Sequence, residues 1–295
     1  INKKFNFPAA NQQTIREIKS FKNVGEAIND LANKDSKIPN HLALKHKDIV
    51  LERYKLIPEG GKLPPPDEMP EHIRRKNFGS TYIRLDRNKP SVTLVPGNNA
   101  FPVHPVLNRS LTPREAARIQ TFPDGHIFTG TRRKQCILVG NAVPPLLAAN
   151  IARVVKEHLL IEKMKSDEKD MFKKRNISPT SYNPVIPKFQ NQKEYTFIDL
   201  FSGAGGITVG LKKAGFDPLF SCDHDQFVKA THEHNFPGVN YFDGDLSDKK
   251  NFNDIVSSLS SKKITLLAGG PPCQGFSMFG KRRFINTQNY EPSTD

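Results

Sequence analysis

From Tyr195 onward the chain repeats one pattern: a short apolar run, a turn, then a segment with apolar residues at helical spacing. Tyr195-Thr-Phe-Ile-Asp-Leu-Phe201 reads as a strand, Ser202-Gly-Ala-Gly-Gly206 as a turn, and Ile207 to Ala214 as a helix. A strand at Pro218 to Ser221, a helix at about Gln226 to Asn235, and a strand at Val239 to Phe242 follow. A helix around Asn251 to Ser260 and a strand at Ile264 to Ala268 complete the series. Strands that alternate with helices can pair only as a parallel sheet with helices on its faces, so this half is expected to be α/β.

Residues 161–193 interrupt the chain. They are charged at first and then rich in Pro, Asn and Ser, with no sustained apolar period, which is the composition of a linker with a helix continuing into its start. Before it, Pro113 to Gln120 reads as a short helix with Thr112 as N-cap and Pro113 at the first position. Ala142 to Leu159 reads as a longer apolar helix that contains Pro144-Pro145 near its start. Residues 40–106 are rich in Pro, Gly, Arg and Lys, with short strand-like runs at Ser80 to Leu85 and Ser91 to Val95. They are expected to form a small, irregular, mainly β region. No run of about 18 apolar residues is seen, so no bilayer-spanning segment is expected.

Charge and cysteines narrow the function. The 295 residues carry a formal charge of +14, which favours a polyanionic partner. Cys136, Cys222 and Cys273 are far apart and form no CxxC pair, so a disulfide framework or structural zinc is not expected and a reducing intracellular compartment is. His232-x-His234 has no further ligands nearby, and no metal is expected.

Two segments carry chemistry. The glycine-rich turn after the first strand lets backbone approach a ligand closely and offers free helix N–H groups to an anionic group. Asp223, 17 residues beyond Gly206 and at the end of the second strand, is placed to accept hydrogen bonds from ribose hydroxyls. The second segment is Gly269-Gly-Pro-Pro-Cys-Gln-Gly-Phe-Ser277, directly after a strand. Cys273 is followed by Lys281, Arg282 and Arg283, an electropositive setting that favours a reactive thiolate. Such a thiolate can add to C6 of a cytosine and make C5 nucleophilic enough to take a methyl group.

Phe197-Ile-Asp-Leu-Phe-Ser-Gly-Ala-Gly-Gly206 resembles the first signature of the DNA cytosine-C5 methyltransferase family, and Gly270-Pro-Pro-Cys-Gln274 resembles its Pro-Cys motif. Arg109 to Asp124 resembles the penultimate family motif, and Val139-Gly-Asn-Ala-Val-Pro-Pro145 the last. The resemblance implies a Rossmann-like fold that uses S-adenosylmethionine (SAM), releases S-adenosylhomocysteine (SAH), and carries a small, mainly β target-recognition domain. It implies Cys273 as nucleophile. Phe201, Ser202, Gly203, Gly205, Asp223, His224, Asp245, Leu246, Gly270, Pro272, Asn141 and Val143 would surround the cofactor. Gln274, Ser277, Phe279, Lys281, Arg282 and Thr93 would meet duplex DNA, the target base being flipped from the stack. A cytoplasmic, nucleoid-associated enzyme of a restriction–modification system is the setting it implies.

The order of the motifs differs from the family's. The SAM and Pro-Cys motifs come last here, as in a circular permutation joined through residues 161–193. Residues 1–39 would follow the family's Arg motif, because Val24 to Leu31 resembles the segment after it; 40–106 would be the recognition region, 107–160 the last two motifs, and 194–295 the SAM and Pro-Cys half. The family's Glu-Asn-Val and Gln-x-Arg-x-Arg motifs are not found in the 295 residues. The chain starts at Ile1 and stops at Asp295, so both ends are expected to be cuts in a longer product, with a second polypeptide or a continuation supplying those motifs. A tRNA methyltransferase of the same build and a non-catalytic DNA-binding subunit are the alternatives.

Overall fold

The computed structural model describes residues 22–32, 38–74, 82–94, 101–175 and 195–271. Beyond residue 194 it holds β1 (Thr196–Leu200), α6 (Gly206–Lys213), β2 (Asp217–Asp223), α7 (Gln226–Asn235), β3 (Asn240–Asp243), α8 (Lys249–Leu259) and β4 (Leu266–Gly269). The strands form one parallel sheet in the order β3-β2-β1-β4, as the alternating pattern predicts. The β1–β2 register slips between Phe197 and Ile198, beside Pro218, which has no N–H to give to a regular ladder.

Before residue 176 lie α1 (Val24–Ile28), α2 (Asp48–Lys55), α3 (Pro113–Ile119), α4 (Arg132–Asn141) and α5 (Pro145–Arg175). The N-terminus of α3 is set by a capping box: Thr112 Oγ1 accepts from the Glu115 N–H, and Glu115 Oε2 accepts from the Thr112 N–H. Helix α5 begins at the second proline of Pro144-Pro145, where its missing N–H costs nothing, and it runs to Arg175, well into the segment expected as linker. Helix α4 is not anticipated by the sequence pattern, because its first turn holds Arg132, Arg133 and Lys134, which oppose the helix dipole.

Residues 132–160 are long and apolar enough to cross a membrane by length and composition, although they hold no unbroken run of about 18 apolar residues. They are two helices interrupted at 142–144, and their apolar faces are used inside the protein: Cys136, Leu138, Val139, Ala149 and Ala152 are buried.

The two halves share their interior. Val24, Leu85, Leu111, Phe122, Phe128 and Val139 from the first half pack in one cluster with Ala204 and Val228 from the second. Ala152 of α5 packs with Phe197 and Leu211 on one face of the sheet, while Ile255 of α8 covers Ile198, Phe220 and Cys222 on the other. Gly210 lets α5 and α6 approach closely: a Cβ there would lie 2.5 Å from Ala148 Cβ and 2.6 Å from the Pro145 carbonyl oxygen.

Residues 40–106 differ from the mainly β expectation. Among the described residues they form α2, two 3-10 turns (Pro66–Glu68 and Glu71–Ile73) and only isolated β-bridges, such as Lys62 with Ile83 and Arg84 with Val103. The prolines at 64–66 and 70 cannot donate to a ladder. A guanidinium substitutes for one. Buried Arg84 uses all five of its donors on Ile57 O, Tyr54 O, His104 O, Leu107 O and Asn108 Oδ1, at 2.6–3.1 Å. Tyr54, Ile57, Tyr82 and Val103 form a small core beside it.

Candidate active site at the carboxyl edge of the sheet

In an open parallel sheet, ligands bind beyond the carboxyl ends of the strands, where the strand order reverses. Here that point lies between β1 and β4. Three strands deliver sequence-nominated residues to it: β1 ends at the Phe201–Gly205 turn, β2 at Asp223, and β4 at Gly269-Gly270. The turn is tightly bent, with Phe201, Gly203 and Gly205 all at positive φ (57°, 52° and 79°). For Phe201, which carries a Cβ, this is a strained conformation. At Gly206 a Cβ would lie 2.1 Å from the Val143 carbonyl oxygen, so this position accepts no side chain while the first half stays in place.

Asp223 holds the turn closed. Its Oδ2 accepts from the Gly203 N–H at 3.0 Å, and its Oδ1 from the N–H groups of His224 (2.8 Å) and Asp225 (3.2 Å). A carboxylate has about four acceptor positions, so one remains for a ligand hydroxyl. Ser202 Oγ is buried at the turn and has no hydrogen-bond partner. An orphaned hydroxyl costs free energy unless something satisfies it, and a polar ligand group seated on the turn would do so. The free N–H groups at the start of α6 add an anion-attracting end.

Beneath the turn, Asp199 is fully buried on β1 and accepts from Thr208 Oγ1 at 2.7 Å. Burial raises its carboxyl to about 7. Neither residue is nominated by sequence; the alternation of β1 places Asp199 on the same face as Phe197, toward α6.

The remaining nominated residues fall as follows. His224 is exposed beside Asp223. Asp245, after β3, accepts from the Ser247 N–H at 2.8 Å, and that bond holds its carboxyl below the usual range. Leu246 is partly buried against the Ile198–Ile255 cluster. Val143 reaches the glycine turn through its carbonyl, while Asn141 ends α4 on the surface. Gly270 donates its N–H to Leu200 O at 3.3 Å, which ties the segment leading to Cys273 to the end of β1. Cys273, Pro272, Gln274, Ser277, Phe279, Lys281 and Arg282 lie outside the described residues, as does the loop Pro96 to Asn99. The other two thiols, Cys136 and Cys222, are buried, and burial raises both, Cys222 to about 11.

Thr93 is exposed and lines a cleft of about 820 Å³ together with Lys22, Asn23, Arg118, Gly140 and Ala142. Gly140 and Ala142 flank Asn141, so Thr93 and residues 139–145 open onto one space. His232 is buried at one end of α7 rather than on its surface, packed on Phe236 and Tyr241, and burial holds it at about 4. Among the described residues no cluster of His, Cys, Asp and Glu has the make-up of a metal site.

Sequence patterns also miss the contacts that lock the first half onto the turn and onto α7. His126 Nε2 lies 2.8 Å from Ala204 O. Asn235 accepts from the Ile127 N–H (2.8 Å) and donates to Ile127 O (2.7 Å). Thr129 bonds Thr231, and Lys134 pairs with Asp225 at 3.1 Å. They bridge about 80 to 110 residues of sequence, so no local signal announces them.

Comparison with known proteins places this arrangement. The C-5 cytosine-specific DNA methylase family matches residues 1–157 and 195–290, leaving out the segment between the halves. Type II methyltransferase M.AquIB of Picosynechococcus sp. is 42% identical over 138 residues, which cover 43% of this chain and 94% of that relative. Type II methyltransferase M1.HphI of Haemophilus parahaemolyticus is 39% identical over 140 residues, or 46% of this chain and 37% of the relative. Type II methyltransferase M.DdeI of Desulfomicrobium norvegicum is 35% identical over 131 residues, or 38% and 31%. The chain thus spans nearly the whole of the first relative and about a third of the other two. With both of its halves matched, the chain belongs to the C-5 cytosine-specific DNA methylase family.

Proposed function

We propose that the chain contributes to methylation of C5 of cytosine in duplex DNA, with SAM as donor, in a restriction–modification setting in the cytoplasm. The observation that carries this reading is the convergence of the Phe201–Gly206 turn, Asp223 and Gly270 at the strand-order reversal, with Cys273 three residues further on. In this reading the layout is Rossmann-like, and the region 40–106 supplies target recognition. SAM, when bound, supplies an electrophilic methyl group. The free N–H groups of α6 and Ser202 would hold its carboxylate end, Asp223 its ribose, and Asp245 and Leu246 its adenine. Gly203 and Gly270, where a Cβ would meet nothing closer than 4.0 Å, leave room for close approach, and Val143 closes the seat from the first half.

Cys273 is the nucleophile. As thiolate it adds to C6 of a flipped cytosine and leaves again after the C5 proton is removed. Gln274, Ser277, Phe279, Lys281 and Arg282 would lie along the DNA with Thr93, and the +14 charge supplies attraction to phosphates. Protonation at cytosine N3 calls for an acid, and the Glu-Asn-Val motif that carries it in the family is not in these 295 residues. We place it, with the Gln-x-Arg-x-Arg motif, on a complementary polypeptide or on a continuation of the chain, and read residues 1–39, 40–106, 107–160, 161–193 and 194–295 as a circularly permuted order.

The test is transfer of labelled methyl from SAM to mixed-sequence duplex DNA, by this chain alone and with the polypeptide encoded beside it. The expected result is activity with the second polypeptide and none with Cys273→Ser. Methyl transfer to tRNA but not DNA would overturn the substrate assignment. Full activity from the chain alone would overturn the need for a partner.

A further inference from the structure

We propose that His126 is a positioning residue: its Nε2–H donates to the carbonyl of Ala204 and holds the Ser202–Gly206 turn in its ligand-ready shape from the opposite half of the protein. The inference rests on the reading of that turn as the cofactor seat. It adds a residue that the cofactor itself would not touch.

The bond can have only one direction, because the Ala204 carbonyl has no hydrogen to give. At 2.8 Å and fully inside the protein, it is the first half's side-chain hold on the backbone of the turn among the described residues. The imidazole is itself immobilised. Phe122, Phe128 and Phe236 surround it at centroid distances of 4.8, 5.0 and 5.8 Å, and its own backbone carbonyl accepts from the buried Arg114 guanidinium. The next residues, Ile127 and Thr129, are fixed to α7 through Asn235 and Thr231. Burial, reinforced by Arg114, His232 and His234 nearby, keeps the ring neutral near pH 7.

The turn needs such a hold. Alternate residues Phe201, Gly203 and Gly205 all have positive φ, and one internal backbone bond, Gly205 N–H to Ser202 O (2.8 Å), closes the turn. The Phe236 ring that abuts Gly205 also touches His126, so the two contacts fix both sides of Ala204. A turn held in its bound shape binds more tightly, because ordering need not be supplied on binding.

His126→Phe keeps an aromatic ring in the cluster and removes the donor; His126→Gln restores a donor at similar reach. Phe101→Leu disturbs the same core cluster at a ring that is not among those stacked on His126. Two readouts are compared: SAH affinity by calorimetry, and amide hydrogen exchange at Gly203 and Gly205 without ligand. The Phe variant should bind SAH about tenfold more weakly or worse, the range expected when a buried carbonyl loses its donor, and should exchange faster at both glycines. The Gln variant should recover most of both, and Phe101→Leu should lower the melting temperature while leaving both readouts near wild type. Unchanged exchange and affinity in His126→Phe, or equal changes in Phe101→Leu, would overturn the proposal. Wild-type protein that takes up no SAH would instead count against the cofactor reading, and the exchange comparison would still decide the role of His126.

Discussion

Replacement of Gly210 by alanine tests whether the two halves are packed together as tightly as the structure has them. In an exposed helix interior, glycine to alanine stabilises by about 1 kcal/mol through helix propensity. Here the added Cβ would meet Ala148 Cβ at 2.5 Å, Pro145 O at 2.6 Å and Ala149 N at 2.8 Å. Carbon atoms prefer roughly 3.5–4.0 Å, so α5 and α6 must separate by about 1 Å. Two of the three neighbours are backbone atoms, which no rotamer change can move. Overpacking of a tight core costs roughly 1–3 kcal/mol, and this geometry puts the cost at the upper end. The clash therefore outweighs the propensity gain, for a net loss of about 2 kcal/mol. For a domain of this size that is about 4–8 °C in melting temperature. Thermal unfolding followed by circular dichroism measures it. Gly125→Ala is the control, since a Cβ there meets nothing within 4 Å, and it should be neutral or slightly stabilising. A Gly210→Ala protein that melts at or above wild type would refute the tight seam between α5 and α6.

Three further outcomes are expected. Arg84→Met leaves five acceptors without their donor and should cost roughly 3–5 kcal/mol in urea unfolding; a loss under about 1 kcal/mol would mean that residues 40–106 do not depend on this guanidinium. Acid should destabilise: His104, His126 and His232 are held at about 4 by burial but titrate near 6.5 when unfolded, so stability is lost as pH falls from about 6.5 toward 4. Each contributes a loss of roughly 2 kcal/mol between pH 7 and 5, and Asp199, raised to about 7, gains about as much as one imidazole loses, which leaves a net loss of about 3 kcal/mol. An unchanged urea midpoint at pH 5 would contradict this. Finally, a thiol reagent at pH 8 should modify Cys273 ahead of Cys136 and Cys222, whose burial suppresses the thiolate; peptide mapping that finds Cys222 modified first would count against it.

Strands β1 to β4 and helices α6 to α8 were legible in the sequence because each is a local pattern, an apolar run or a helical period bounded by Gly, Asp or Asn. The Thr112 N-cap of α3 was legible for the same reason, whereas the return bond from Glu115 was not read. Helix α4 was hidden by cations at its start and Gly140 near its end. The irregular region 40–106 could not be read, because its carbonyls are satisfied by Arg84 from up to 30 residues away rather than by a ladder with periodicity. The same holds at the candidate site. Asp223 and the glycine turn announce themselves by type and spacing, whereas His126 reaches the turn across 78 residues from an aromatic cluster that looks like ordinary core.

In the proposed reaction, Cys273 performs the chemistry on cytosine. Duplex DNA carrying 5-fluorocytosine, incubated with SAM, this chain and the polypeptide encoded beside it, tests that most directly, because fluorine at C5 blocks release of the thiolate. The prediction is a denaturation-resistant protein–DNA complex that maps to Cys273 and disappears in Cys273→Ser. A Cys273→Ser protein that still methylates cytosine, or still forms the complex, would contradict it.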